Sequence, residues 1–107
     1  MILYSVTIVI QPDIESEWID WMTKVHVPDV LRTGCFLDCQ IWKLIGAENE
    51  EPTYILQYRS PSLEEYHRYR DNFAPALQKE HTERFNGRFR GSRQVMEEIA
   101  IAHSPTP

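Results

Sequence analysis

The order of hydrophobic patterns along the chain restricts its fold more than any other feature. Residues 2–10, ILYSVTIVI, are rich in β-branched and aromatic side chains and predict a first strand. Helix-type and strand-type spacings of apolar residues then follow in turn at about 14–26 (helix), 35–45 and 53–59 (strands), 63–85 (helix) and 88–97 (strand). The chain is therefore predicted to have the element order β-α-β-β-α-β.

Short motifs indicate where the predicted helices begin and where they are interrupted. Ser62 followed by Glu65 forms a capping box at the start of the second helix. Pro75 lies within that helix and predicts a kink just before it, because proline has no backbone N–H to donate. Pro28 predicts that the first helix breaks or restarts, and Gly34 suits the left-handed position after a short second segment.

This element order predicts an α+β, ferredoxin-like fold: a four-stranded antiparallel sheet with two helices on one face. Right-handed crossovers give the strand order 4-1-3-2. The opposite sheet face would carry apolar residues such as Leu3, Val9 and Ile55, which a single-layer sheet cannot leave in water. We therefore expect a homodimer through the open sheet face, a dimeric α/β barrel. Residues 1–98 form the predicted domain, and residues 99–107 a disordered tail.

Charge and cysteine content narrow the classes of function. The 107 residues carry a net charge of −5, which does not favour nucleic-acid binding. The apolar N-terminal run lacks the features of a signal peptide and ends at Pro12, after about half the length of a membrane span. Cys35 and Cys39, four residues apart in a predicted strand, would lie about 13 Å apart, too far for a disulfide. We expect a cytoplasmic protein with reduced thiols and no membrane partner.

His26 is the first candidate for chemistry. The first helix runs antiparallel to the first strand, so His26 is expected near the start of that strand, beside Tyr4 and Tyr58. A histidine with phenolic neighbours can exchange protons near neutral pH. The alternative is a histidine that interacts with the dipole at the end of a helix, beside core tyrosines.

His81 is the second candidate and is expected at the opposite end of the molecule, near Trp18, Tyr54 and Arg84. An aromatic-walled cavity with a histidine and an arginine can hold a small organic anion or a planar ring. The alternative is a buried histidine bonded to a backbone carbonyl or to a glutamate. The two histidines are therefore not expected to share a site, and no metal or cofactor site is predicted.

Two motifs taken together resemble a known family. They are H-x-P-x-V-x-x-x-G, from His26 to Gly34, and F-A-P-x-L-Q-x-E-H-x-x-R-F, from Phe73 to Phe85. Over residues 2–97 the chain resembles a small bacterial family of uncharacterised proteins, which is similar in fold to the dimeric α/β-barrel superfamily. The first motif also resembles the EthD-type branch. That superfamily includes cofactor-free monooxygenases, haem-degrading enzymes, isomerases and binding modules, so the resemblance implies a fold but no activity.

Two functions remain open from the sequence. One is a dimeric binding or structural protein for a small hydrophobic or aromatic ligand. The other is a cofactor-free monooxygenase or isomerase that uses His26 or His81 as a general base. The sequence supplies possible bases but no evident nucleophile, metal set or cofactor motif, which favours the binding protein slightly and leaves open whether the chain is an enzyme.

Overall fold

The computed structural model describes residues 1–46 and 51–106. Its regular elements are β1 (Ile2–Ile10), α1 (Glu15–Trp21), α2 (Val27–Arg32), β2 (Asp38–Lys43), β3 (Thr53–Ser60), α3 (Leu63–Asn72), α4 (Ala74–Arg84) and β4 (Phe89–Glu97). A 3₁₀ turn, Pro12–Ile14, precedes α1, and a π-helical segment, Met22–His26, joins α1 to α2.

The four strands form one open antiparallel sheet in the order β2-β3-β1-β4. This order is the predicted one, and the α+β, ferredoxin-like fold is confirmed. In β1 and β3 the even-numbered residues face the helices and are buried. Tyr4 shows the register, because it lies opposite Tyr58 of β3 on one side and Val95 of β4 on the other.

The hydrophobic core lies between the helices and this one face of the sheet. Its most deeply buried large side chains are Ile10, Trp18, Met22, Val30 and Leu56. Each such side chain contributes about 1.5–3 kcal/mol through its removal from water. Strand β2 is shorter than predicted, so Cys35 is buried in the connection that precedes it.

The second helical region is interrupted as the sequence predicts. The backbone N–H of Glu65 donates to Ser62 Oγ over 3.1 Å, which confirms the capping box. Phe73 leaves helical geometry between α3 and α4, with φ at −123°. Pro75 then occupies the first turn of α4, where a backbone N–H would have no partner within the helix.

The first helical region follows the prediction at Pro28 in part: the helix does not break there, but a new α-helical segment, α2, begins with Pro28 in its first turn. The chain stays helical from Glu15 to Arg32, because the π-helical segment widens the helix ahead of the proline. The N–H of Val27 donates to the carbonyl of Met22, five residues earlier. His26 is therefore buried within a continuous helical region, and π-helical turns of this kind are frequent at functional sites.

Candidate functional site

A cavity lies between the sheet and the helices, on the side of β1 and β4. The centre of a water molecule can move through about 50 Å³ of it. Its wall is formed by Tyr4, Val6, Ile8, Met22, His26, Leu56, Tyr58, Tyr69, Gln78, His81, Thr82, Phe89, Gly91 and Arg93. Most of this wall is aromatic or aliphatic, with a few polar groups, as in small-molecule sites generally.

His26 and His81 both line this cavity, and their ring centroids lie 5.7 Å apart. The expectation that they would lie at opposite ends was wrong. It followed the helix directions but ignored the direction of the side chains. In a helix each Cα–Cβ bond tilts towards the N-terminus, and these helices run antiparallel. The two imidazoles therefore lean towards each other from opposite ends.

His81 is held by a hydrogen bond from the first helix. Trp18 Nε1 donates to His81 Nε2 over 2.9 Å in the protein interior. An indole N–H only donates, so Nε2 accepts and the proton of the neutral imidazole is on Nδ1. Burial, together with the nearby His26 and Arg93, lowers the pKa of His81 to about 4.

His26 has a different environment. It is 9 % exposed, and its Nδ1 is buried without a hydrogen-bond partner among the described residues. The Trp21 ring packs on one side, with its centroid 5.3 Å from that of the imidazole. Burial lowers the pKa of His26 to about 4, although the Asp29 carboxylate acts in the opposite direction. At neutral pH His26 is uncharged.

Tyrosines form much of the remaining wall. The Tyr4 ring lies 5.7 Å from Tyr58 and 5.8 Å from Tyr69, measured between centroids. Burial raises the pKa of all three phenols above the ordinary value of a tyrosine. Their hydroxyl groups stay protonated at neutral pH and can donate hydrogen bonds.

Arg93 is a cation on the cavity wall that the sequence reading missed. Nine of the 11 lysines and arginines form ion pairs with carboxylates in the described residues, which leaves Arg84 and Arg93. Arg84 lies over the Trp21 ring, 5.3 Å from its centroid. Arg93 lies opposite Val6 in the β1–β4 ladder, and paired residues face the same side of a sheet. That register, which the sequence does not specify, is the signal that could have identified it.

The other predicted site residues lie outside the wall. Trp18 supports His81 from behind, and the Tyr54 ring packs on Trp18 at 5.1 Å. The Tyr54 hydroxyl donates to Glu15 Oε2 over 2.8 Å, so it is engaged with a carboxylate at the protein surface. Tyr4, Tyr58, His26 and His81 are the predicted residues that the structure brings together.

Metal and thiol chemistry find little support in the described part of the chain. Within residues 1–46 and 51–106, no group of three or more His, Cys, Asp or Glu side chains is placed to hold a metal ion. Cys35 and Cys39 are free thiols. Burial raises the pKa of Cys39 to about 12, so this thiol is not a nucleophile at neutral pH. None of the described helices is long and apolar enough to cross a membrane.

The fold and the cavity define a ferredoxin-like α+β protein with a pocket between its sheet and its helices. The chain belongs to the family described as domain of unknown function DUF4286, whose model matches residues 1–99. The resemblance inferred from the two sequence motifs is thereby confirmed. A search of curated proteins found no match.

Solved structures with the same fold cover nearly the whole chain. A dimeric ferredoxin-like protein from an uncultured marine organism has a TM-score of 0.73 and 14% identity, over 97% of this chain and 100% of that one. An EthD family protein from Bacillus halodurans has a TM-score of 0.66 and 14% identity, over 92% and 100%. A Streptomyces coelicolor monooxygenase in complex with nanaomycin D has a TM-score of 0.56 and 12% identity, over 95% and 92%. Identities this low show a shared fold alone.

Proposed function

We propose that this chain is a dimeric protein whose pocket binds a small aromatic or hydrophobic molecule. The observation that carries the proposal is the unpartnered Nδ1 of His26 beside an aromatic-lined cavity. A buried polar atom without a partner costs about 1–3 kcal/mol. A ligand that forms a hydrogen bond with Nδ1 would remove that cost while its apolar part covers the aromatic wall.

The open face of the sheet supports the dimer. Leu3, Val9 and Ile55 lie on this face, half-buried in the single chain, and Trp42 and Met96 are 51% and 40% exposed. A second copy packed sheet against sheet would cover all of them. One of the structures with the same fold is itself described as dimeric.

A second candidate function is proton transfer, as in a cofactor-free monooxygenase or isomerase. His26 favours proton transfer, because Nδ1 of this neutral imidazole has no hydrogen-bond partner among the described residues. His81 is the weaker candidate for a general base, since its accepting nitrogen is bound by Trp18. In this case His26→Gln would abolish turnover of the bound molecule with little change in its affinity, whereas in a binding protein it would change affinity alone.

Native mass spectrometry of untagged protein tests the binding function first. A mass of two chains plus a small molecule, lost on denaturation, is the expected result. The proposed binding of a ligand would be contradicted by a mass of two chains alone, if a screen of small aromatic compounds at millimolar concentration also shows no binding. A monomer would contradict the dimer.

A further inference from the structure

We propose that the molecule in the cavity carries a carboxylate, or an acidic oxygen of the same kind, and that Arg93 binds it. This inference rests on the proposed function and specifies the chemistry of its ligand. Arg93 is part of the cavity wall and lies near the Tyr4 hydroxyl, and the aromatic ring of Phe89 lines the same cavity.

The charge distribution around the cavity is the first argument. The chain has 16 acidic residues and a net charge of −5, yet no aspartate or glutamate of residues 1–46 and 51–106 lines the cavity. Among the described residues of the wall, Arg93 is the one that is charged at neutral pH, because His26 and His81 are neutral. In this part of the protein, an anion that enters the cavity therefore meets one positive charge and no carboxylate.

The contacts of Arg93 are the second argument. The other arginines and the lysines either form an ion pair or, as Arg84 does, lie over aromatic rings. Among the described residues Arg93 has neither kind of partner. A guanidinium group presents paired N–H donors that match the two oxygens of a carboxylate, which makes an arginine in this situation suited to bind one.

Neutral donors on the cavity wall complete the site. Gln78 and Thr82 lie one turn apart on the same face of α4, and both line the cavity. The Arg93 and Gln78 side chains lie close enough to the Tyr4 hydroxyl to offset part of the increase in its pKa that burial causes. The Tyr4 O–H, the Gln78 amide and the Arg93 guanidinium thus form a group of donors for one oxyanion.

Matched pairs of acids and amides test this inference directly. Benzoate and benzamide have nearly the same shape but differ in charge, as do phenylacetate and phenylacetamide. Their dissociation constants would be measured at one fixed salt concentration, by chemical-shift changes of the backbone amides. The same titrations would be done on Arg93→Gln, and on Arg84→Gln as the control, since Arg84 also has no carboxylate partner in the described part of the chain but lies outside the wall.

The acids should bind at least about tenfold more tightly than their amides, the scale expected of a hydrogen-bonded charge. Arg93→Gln should remove most of that preference, and Arg84→Gln should retain it. Equal affinity for acids and amides would overturn this inference and leave the proposed pocket intact. A preference that survives Arg93→Gln would overturn the role of Arg93. Failure of both series to bind would overturn the proposed function and this inference together.

Discussion

The indole Nε1 of Trp18 donates a hydrogen bond to Nε2 of His81, 63 residues later in the chain, over 2.9 Å. This bond joins α1 to α4 in the interior and fixes which nitrogen of His81 carries the proton. His26, whose ring centroid lies 5.7 Å from that of His81, has no such partner for Nδ1 among the described residues. The two histidines of one cavity thus have different surroundings: His81 is held by the fold, and Nδ1 of His26 is the atom that we propose a ligand contacts.

Trp18→Phe should lower the free energy of unfolding by about 2–4 kcal/mol. The change removes the donor to a buried acceptor and leaves a small cavity in the core. It should also raise the pKa of His81 from about 4 towards the ordinary value, because the bond from Trp18 stabilises the neutral imidazole. Denaturant unfolding and NMR titration of the histidine ring would measure the two effects.

Trp42→Phe is the matched control for that change. Trp42 also donates through its indole, to Gln57 Oε1 over 3.1 Å, but it is 51% exposed. Trp42 lies on the face proposed for the dimer, so this control applies to the dissociated chain, where water can replace the lost bond and a cost below about 1 kcal/mol is expected. Similar losses for the two variants would contradict a special role for the Trp18–His81 bond.

The stability of the protein should decrease as the pH is lowered from 6.5 to about 4. Burial lowers the pKa of His26 and of His81 to about 4, so the unfolded chain binds more protons than the folded one in this interval. Stability is then full above pH 6.5 and is lost as the pH falls towards 4, by on the order of 3 kcal/mol for one histidine. Asp29 opposes this loss at His26, and Arg93 adds to it at His81.

Denaturant unfolding at a series of pH values would measure this effect. His26→Gln should flatten the decline, because glutamine does not titrate. His103→Gln should leave it unchanged, since His103 is exposed after the last strand. An equally steep decline in His26→Gln and the wild type would assign the pH dependence to other groups.

The sequence predicts the fold well because its hydrophobic periods and breaks are local. The Ser62 cap and the interruption before Pro75 are each determined within a few residues. Pro28 was harder to interpret, because proline excludes one hydrogen bond but does not specify whether the helix ends or widens. The actual outcome depends on the packing of Met22 and His26 against the core, which is not a local property.

The candidate site was only partly predictable for a similar reason. The proximity of Tyr4, Tyr58 and His26 was predictable, because the sequence shows which strand residues face the helices. Arg93 depends on the register of β4 against β1, which a mainly polar, exposed strand does not reveal. Helix direction alone gives a poor estimate of the distance between His26 and His81, since each side chain tilts towards the N-terminus of its own helix and so towards the other histidine.

Gly91→Ala should stabilise the protein and weaken ligand binding. Gly91 lines the cavity, and a Cβ there would meet the Thr7 carbonyl oxygen at 3.4 Å and Ile8 Cγ1 at 3.8 Å, which the structure can accommodate. The substitution reduces the freedom of the unfolded chain and so adds about 0.4–1 kcal/mol. The methyl group would occupy cavity space and lower affinity several-fold. Thermal unfolding and the titrations with benzoate would measure both changes.

Gly87→Ala is the control and should destabilise the protein without affecting ligand binding. Gly87 has φ at +74° and lies outside the cavity wall, so alanine there is strained and should destabilise the protein by about 1 kcal/mol. Its affinity for ligands should not change. If Gly91→Ala leaves affinity unaltered, the cavity beside β4 is not where the ligand binds.

Ile55→Lys should separate the proposed dimer without emptying the pocket. Ile55 lies between Thr7 and Trp42 across three neighbouring strands, on the sheet face opposite the helices. A lysine there would bury an unpaired charge in a sheet-to-sheet interface, which is costly. Sedimentation should show that the variant is a monomer. Its circular dichroism spectrum should be the same as that of the wild type. Leu63→Lys, at an exposed position of α3, should remain dimeric.

Because the cavity lies between the sheet and the helices of the same chain, the Ile55→Lys monomer should still bind ligand. A dimeric Ile55→Lys variant would mean that the two copies meet through another surface.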